Sequence, residues 1–131
     1  MRRDIVIVTC AVSAGIHAAL VPEHLGESAG AGGGFIASVV LLAVAVVALT
    51  YRPSGLVFVA TALVLAGLIA AYVAAVTTGV PLLHPEPENV DGLALFTKAV
   101  ELLGLAVAVD VIRGQALQLP CPLHRTEGVR A

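Results

Sequence analysis

Apolar residues fill this chain in long unbroken runs, and polar side chains are pushed to the junctions between them. A helix needs roughly 20 mostly apolar residues to cross about 30 Å of hydrocarbon. Four windows meet that need: residues 5–21, ending at Pro22; 35–51, inside a charge-free stretch that begins at Ser28; 55–78; and 93–112. The third lies in a segment with no charge between Arg52 and His84, whereas the fourth carries Lys98, Glu101 and Asp110. Inside a bilayer only helices or closed barrels satisfy the backbone. These runs are too long and continuous for the alternating segments of about ten residues that build barrel strands. The pattern predicts an all-α, integral membrane four-helix bundle over residues 1–113, followed by a poorly ordered tail over 114–131. Residues 30–34, rich in glycine, read as a flexible external hinge before the second span.

Composition agrees with the segmentation. Of 131 residues, 59% are hydrophobic and 12% charged, and the mean hydropathy is +1.00. Soluble domains carry roughly 25% charged residues, so too little polar surface remains here to cover a water-soluble globule. Disorder of the bulk is excluded, because it requires low hydrophobicity and high charge. A net charge of −2 gives no reason to expect nucleic acid as a partner. The bilayer is the expected environment, with a homo-oligomer or a larger membrane complex as the partners left open.

Placement of the charges predicts orientation. Arg2 and Arg3 precede the first span, Arg52 separates the second and third, and Arg113, Arg125 and Arg130 follow the fourth. The two opposite connections, 22–34 and 79–92, contain no Lys or Arg. By the positive-inside rule both termini are cytoplasmic, in the plasma (inner) membrane. Residues 2–15 also have the layout of a secretory signal, with a basic start, an apolar stretch and small residues Ser13–Ala14–Gly15. The expectation adopted is an uncleaved first helix. Cys10 and Cys121 then both face the reducing side, which argues against a structural disulfide. Cys121 and His124 have Cys-x-x-His spacing but lack the other two ligands of a zinc site.

Small residues recur every fourth position in the third span: Ala62, Ala66, Ala70 and Ala74, beside Gly67, Ala71, Ala75 and Gly79. Ala11, Gly15 and Ala19 repeat the spacing in the first span, and Gly104 with Ala108 in the fourth. Such stripes permit close helix approach in lipid. They predict a compact bundle whose third helix touches two neighbours.

Chemistry-bearing residues gather toward the predicted outer side. His17 is expected about 6 Å below the outer end of its helix, Lys98 about 7 Å, and Ser13 and Glu101 about 12 Å. Ionisable residues at such depth normally face a bundle interior or a wet cavity. Three readings follow. In the first, His17, His24, Glu27, His84 and Glu101 supply imidazole and carboxylate to a divalent metal such as zinc, iron, nickel or manganese, or to a small ligand. In the second, Lys98 and Glu101, three apart on one helix face, form an intramembrane ion pair with His17 beside it. In the third, the acidic loops are a solvated rim and the protein is an accessory or scaffold subunit of a larger complex. Ser13, Tyr72 and Thr97 are expected to line an outward-opening cavity between the first and fourth helices, with a quinone or lipid pocket beside Tyr72 left open. His24 is read as part of a short interfacial turn starting at Pro22, and His84 as part of a rigid, proline-rich connection.

Cu(I) is disfavoured, because Met1 is the one methionine and both cysteines face inward. Haem is disfavoured because His17 is the one histidine within a span. Hydrolase, phosphate-loop and dinucleotide motifs are missing, so the sequence favours a non-enzymatic role and leaves an enzymatic one open.

Residues 17–28 (HAALVPEHLGES), 78–81 (TGVP) and 87–103 (PENVDGLALFTKAVELL) resemble small four-span membrane proteins of high-GC Gram-positive bacteria. The resemblance covers most of the chain up to about Ile112. It implies the four-span topology and the pairing of a histidine in the first span and the following loop with a glutamate in the last. It implies no activity.

Overall fold

The computed structural model describes residues 1–79 and 90–116. They form four helices: α1 is Arg2–Glu27, α2 is Ala29–Tyr51, α3 is Gly55–Thr77 and α4 is Gly92–Ala116. All four are long and apolar enough to cross a membrane. At 1.5 Å per residue, the 26 residues of α1 extend about 39 Å, more than the hydrocarbon thickness.

The helices pack in a ring in which α1 touches α2 and α4, and α3 touches α2 and α4; the α2–α3 contact is the thinnest. Short joints at 28 and 52–54 force α1, α2 and α3 to run up, down and up. Arg2 reaches Asp110 at 3.0 Å, so the start of α1 and the end of α4 lie at one end of the bundle. Val6, Cys10, Leu42, Leu49, Phe58, Ala62, Leu65 and Ala108 form the apolar core. Large aliphatic side chains such as Val40, Val44, Leu63 and Leu103 point outward. That inversion suits a bundle whose outer solvent is lipid.

Two expectations about the first connection are corrected. The first helix does not end at Pro22 but continues to Glu27, so His24 lies in that helix and not in a separate interfacial turn. Pro22 removes one backbone hydrogen bond, yet leaving the helix would expose many more groups where no water can satisfy them. Nor is 22–34 a loop with a glycine hinge. The joint is Ser28 alone, whose hydroxyl caps α2 by accepting from the Ala31 amide at 3.0 Å. Residues 30–34 are helical, and Gly32 lies so close to Leu25 of α1 that a Cβ there would overlap it. Gly32 allows close packing of the α1–α2 hairpin.

The other boundaries shift little. The third span ends at Thr77 and the fourth runs to Ala116, past the expected start of the tail at 114. Residues 117–131, with Cys121 and His124, lie outside the described residues.

The small-residue stripes are only partly interfacial. Gly104 and Ala108 of α4 are buried, as is Ala62, whereas Ala66, Gly67, Ala70 and Ala71 face outward. Ala11, Gly15 and Ala19 of α1 face outward too. α3 does meet two neighbours, but Phe58, Thr61, Ala62 and Leu65 make its buried face.

Candidate functional site

α1 and α4 are joined near the middle of the bundle by polar side chains. Ser13 and Glu101 are both 0% exposed, and the Ser13 hydroxyl donates to Glu101 Oε1 at 2.8 Å. Lys98, one turn earlier on α4, donates from Nζ to Oε2 at 2.6 Å. Both carboxylate oxygens are therefore held, one from each helix. The expected Lys98–Glu101 pair is present, and Lys98 also stands 5.4 Å from the centre of the Tyr72 ring on α3. An ammonium over an aromatic face gains from the ring quadrupole.

His17 adds an acceptor to this group. Its Nδ1 lies 2.9 Å from the Ser13 backbone carbonyl, an oxygen that can only accept. Nδ1 therefore carries the proton in the neutral ring, and Nε2 presents a lone pair. That Nε2 faces Glu101 Oε1 at 4.0 Å, too far for a direct hydrogen bond. Two acceptors thus oppose each other inside the bundle.

The extension of α1 changes the depth of these residues. His17 lies ten positions from the end of its helix, about 15 Å along the axis rather than about 6 Å. Glu101 lies nine positions from the start of α4, about 14 Å. The polar group belongs to the bundle's middle, and Ser13 meets Glu101 directly rather than across a cavity.

The remaining expected residues separate. Thr97 is buried, but its hydroxyl donates to the Leu93 carbonyl at 2.8 Å, so it is spent within α4. The Tyr72 hydroxyl is buried and has no hydrogen-bond partner among the described residues. His24 is two turns along α1 from His17, and its Nδ1 donates to the Leu20 carbonyl at 3.0 Å. Glu27 is exposed at the end of α1. His84 lies outside the described residues. Asp91 caps α4 by accepting from the Ala94 amide at 2.7 Å. The described residues gather no group of three or more His, Cys, Asp and Glu side chains that could hold a metal ion.

Phe35 is the residue that sequence reasoning missed. It projects from α2 against α1, where the His24 ring stacks on it with centroids 3.8 Å apart and the His17 ring tilts over it at 5.3 Å. The available signal was weak: one of three phenylalanines, directly after the glycine run.

Fold and site together define a multi-pass α-helical membrane protein with a buried polar group between its first and last helices. No family model, curated protein or solved structure matches the chain.

Proposed function

We propose that this chain is a plasma-membrane protein, with both termini cytoplasmic, that binds a small hydrogen-bond-donating or positively charged species between His17 and Glu101. The orientation draws support from the arginines, all of which fall on one side of a four-span topology. The observation that carries the binding reading is the pair of opposed acceptors, His17 Nε2 and Glu101 Oε1, 4.0 Å apart. A species with two N–H or O–H hydrogens, placed beside both, can donate one to each. A zinc site takes four ligands, and the described residues offer no such group. A small ligand needs only the two acceptors, so it fits better than a divalent metal. No catalytic set is proposed.

Thermal unfolding of the full chain in lipid nanodiscs tests this reading, with ZnCl2, MnCl2, NH4Cl and pH as the varied probes. At least one probe is expected to stabilise the wild type by about 2.7 kcal/mol when present at 100 times its dissociation constant. His17→Ala is expected to lose that response. Equal responses of wild type and His17→Ala to every probe, protons included, would defeat the reading.

A second reading, an accessory or scaffold subunit, is favoured by the outward position of Ala11, Gly15 and Ala19. A small-residue face turned to lipid suits close approach of another helix. Gly15→Leu meets open space, since nothing lies within 4 Å of a Cβ there. It is expected not to destabilise the isolated chain, since leucine is the better helix former, and to abolish association with any complex that copurifies from native membranes. Retained association in this variant removes the second reading.

A further inference from the structure

We infer that the species held between His17 and Glu101 is a single proton, taken up on His17 Nε2 and admitted from the Ser28 end of the bundle. This rests on the binding reading above and names its ligand. The Ser13 carbonyl fixes the neutral ring as the Nδ1–H tautomer, at 2.9 Å, and so leaves Nε2 as the open position. Protonation there turns an acceptor opposed to Glu101 Oε1 into a donor opposed to it. One N–H bond forms and a hydronium returns to water; no electrons are exchanged and no carbon centre reacts. Glu101 balances the imidazolium through Oε1 while Oε2 stays on Lys98. Ser13, already donating to Oε1, holds the carboxylate in place for the approach.

Other groups face the site from each packed helix. Cys10 and His24 lie on α1, Tyr72 on α3 and Lys98 on α4, while α2 contributes the apolar ring of Phe35. Their distribution sets the direction of entry. Toward the Ser28 end, half-buried His24 lies two turns beyond His17, in the same last turns of α1 as the exposed Glu23 and Glu27. Its Nδ1 is likewise tied to a carbonyl, leaving a second open Nε2. Toward the other end, the buried face continues as Val6, Thr9, Gly104 and Ala108. Among the described residues, no Asp, Glu, His or Lys occurs in that half before Asp4 and Asp110 near its rim. The Thr9 hydroxyl is bonded to the Val6 carbonyl at 2.9 Å. The protonation site is a dead end reached from one side, the arrangement of a proton sensor or a proton-loading step rather than a through-channel.

Nitrogen-15 NMR of histidine-labelled full-length protein in nanodiscs tests this directly. In wild type, His17 Nε2 is expected to pass from bare to protonated as the pH is lowered, while Nδ1 stays protonated throughout. Glu101→Gln is expected to weaken that proton binding about tenfold or more, and Ser13→Ala to weaken it less. His24→Gln is expected to slow proton exchange at His17 several-fold, and Asp110→Asn to leave it unchanged. A bare Nε2 across the range, or equal proton affinity in wild type and Glu101→Gln, overturns the proton site. Unchanged exchange in His24→Gln overturns entry from the Ser28 end. A wild type stabilised by ZnCl2, MnCl2 or NH4Cl while Nε2 stays bare removes this inference and keeps the binding reading. No response to any probe removes both.

Discussion

Lys98→Met is expected to destabilise the folded bundle by about 3–5 kcal/mol, because it leaves a buried carboxylate without its counter-ion. Glu101 is 0% exposed and its Oε2 depends on the Lys98 ammonium at 2.6 Å. Ser13 remains as a neutral donor to Oε1 and cannot replace the lost charge. The carboxyl then escapes the penalty by taking up a proton, which caps the loss and sets its pH dependence. The destabilisation is therefore greatest at neutral pH and shrinks in acid, since a protonated carboxyl needs no counter-ion. Unfolding in mixed micelles at two pH values measures both quantities.

The double variant Lys98→Met/Glu101→Leu separates charge from packing. Replacing both partners by apolar groups of similar volume is often neutral or stabilising, so most of the single-variant loss should return. A double variant as unstable as Lys98→Met would place the loss in contacts of the lysine other than its ion pair, such as the approach of its ammonium to the Tyr72 ring. A single variant within about 1 kcal/mol of wild type would mean that the pair is screened as a surface pair is. Either result would replace the intramembrane ion pair as the account of this contact.

The sequence was most legible where the bilayer leaves least choice. Long apolar runs, three of them free of Asp, Glu, Lys and Arg, announced four spans, because a backbone in lipid must be helical over its whole crossing. The same rule explains the misreadings. Pro22 and the glycines at 30–34 stop or loosen a helix in water, and by that habit they marked a loop. In this bundle α1 runs through Pro22, and Gly32 becomes the point of close approach to Leu25. The site divides along similar lines. Lys98 and Glu101 were readable from spacing alone, since residues three apart share a helix face. Ser13 and Glu101, 88 positions apart, were readable only as two polar residues at similar depth. Their direct bond depends on the α1–α4 register. The stacking of His24 and His17 on Phe35 was not readable, since it requires the one-residue joint at Ser28 that brings α2 against α1.

That register depends on Gly104, and Gly104→Ala is expected to destabilise the bundle by about 1–3 kcal/mol, the usual range for overpacking. On an isolated helix the same substitution would stabilise by about 1 kcal/mol, because alanine restricts the unfolded chain. Here an added Cβ would stand 2.5 Å from Thr9 Oγ1, 3.1 Å from Thr9 Cβ and 3.2 Å from a Leu65 methyl. Thr9 cannot readily yield. It is β-branched and stiff at χ1, 5% exposed, and bonded through its hydroxyl to the Val6 carbonyl. The clash must therefore move α1 away from α4. Glu101 lies one turn before Gly104, so that motion stretches the 2.8 Å bond from Ser13. Gly104→Ala should accordingly perturb the His17 nitrogen resonances as well as stability, although it touches neither ring. Thr9→Ala removes Oγ1, the nearer of the two crowding Thr9 atoms, and keeps Cβ, so Gly104→Ala/Thr9→Ala should regain much of the lost stability. The coupling energy from the double-mutant cycle decides the matter. Additive losses would show that α1 and α4 are not in contact at Thr9 and Gly104, and would leave the Ser13–Glu101 bond without the close helix approach that sets its length.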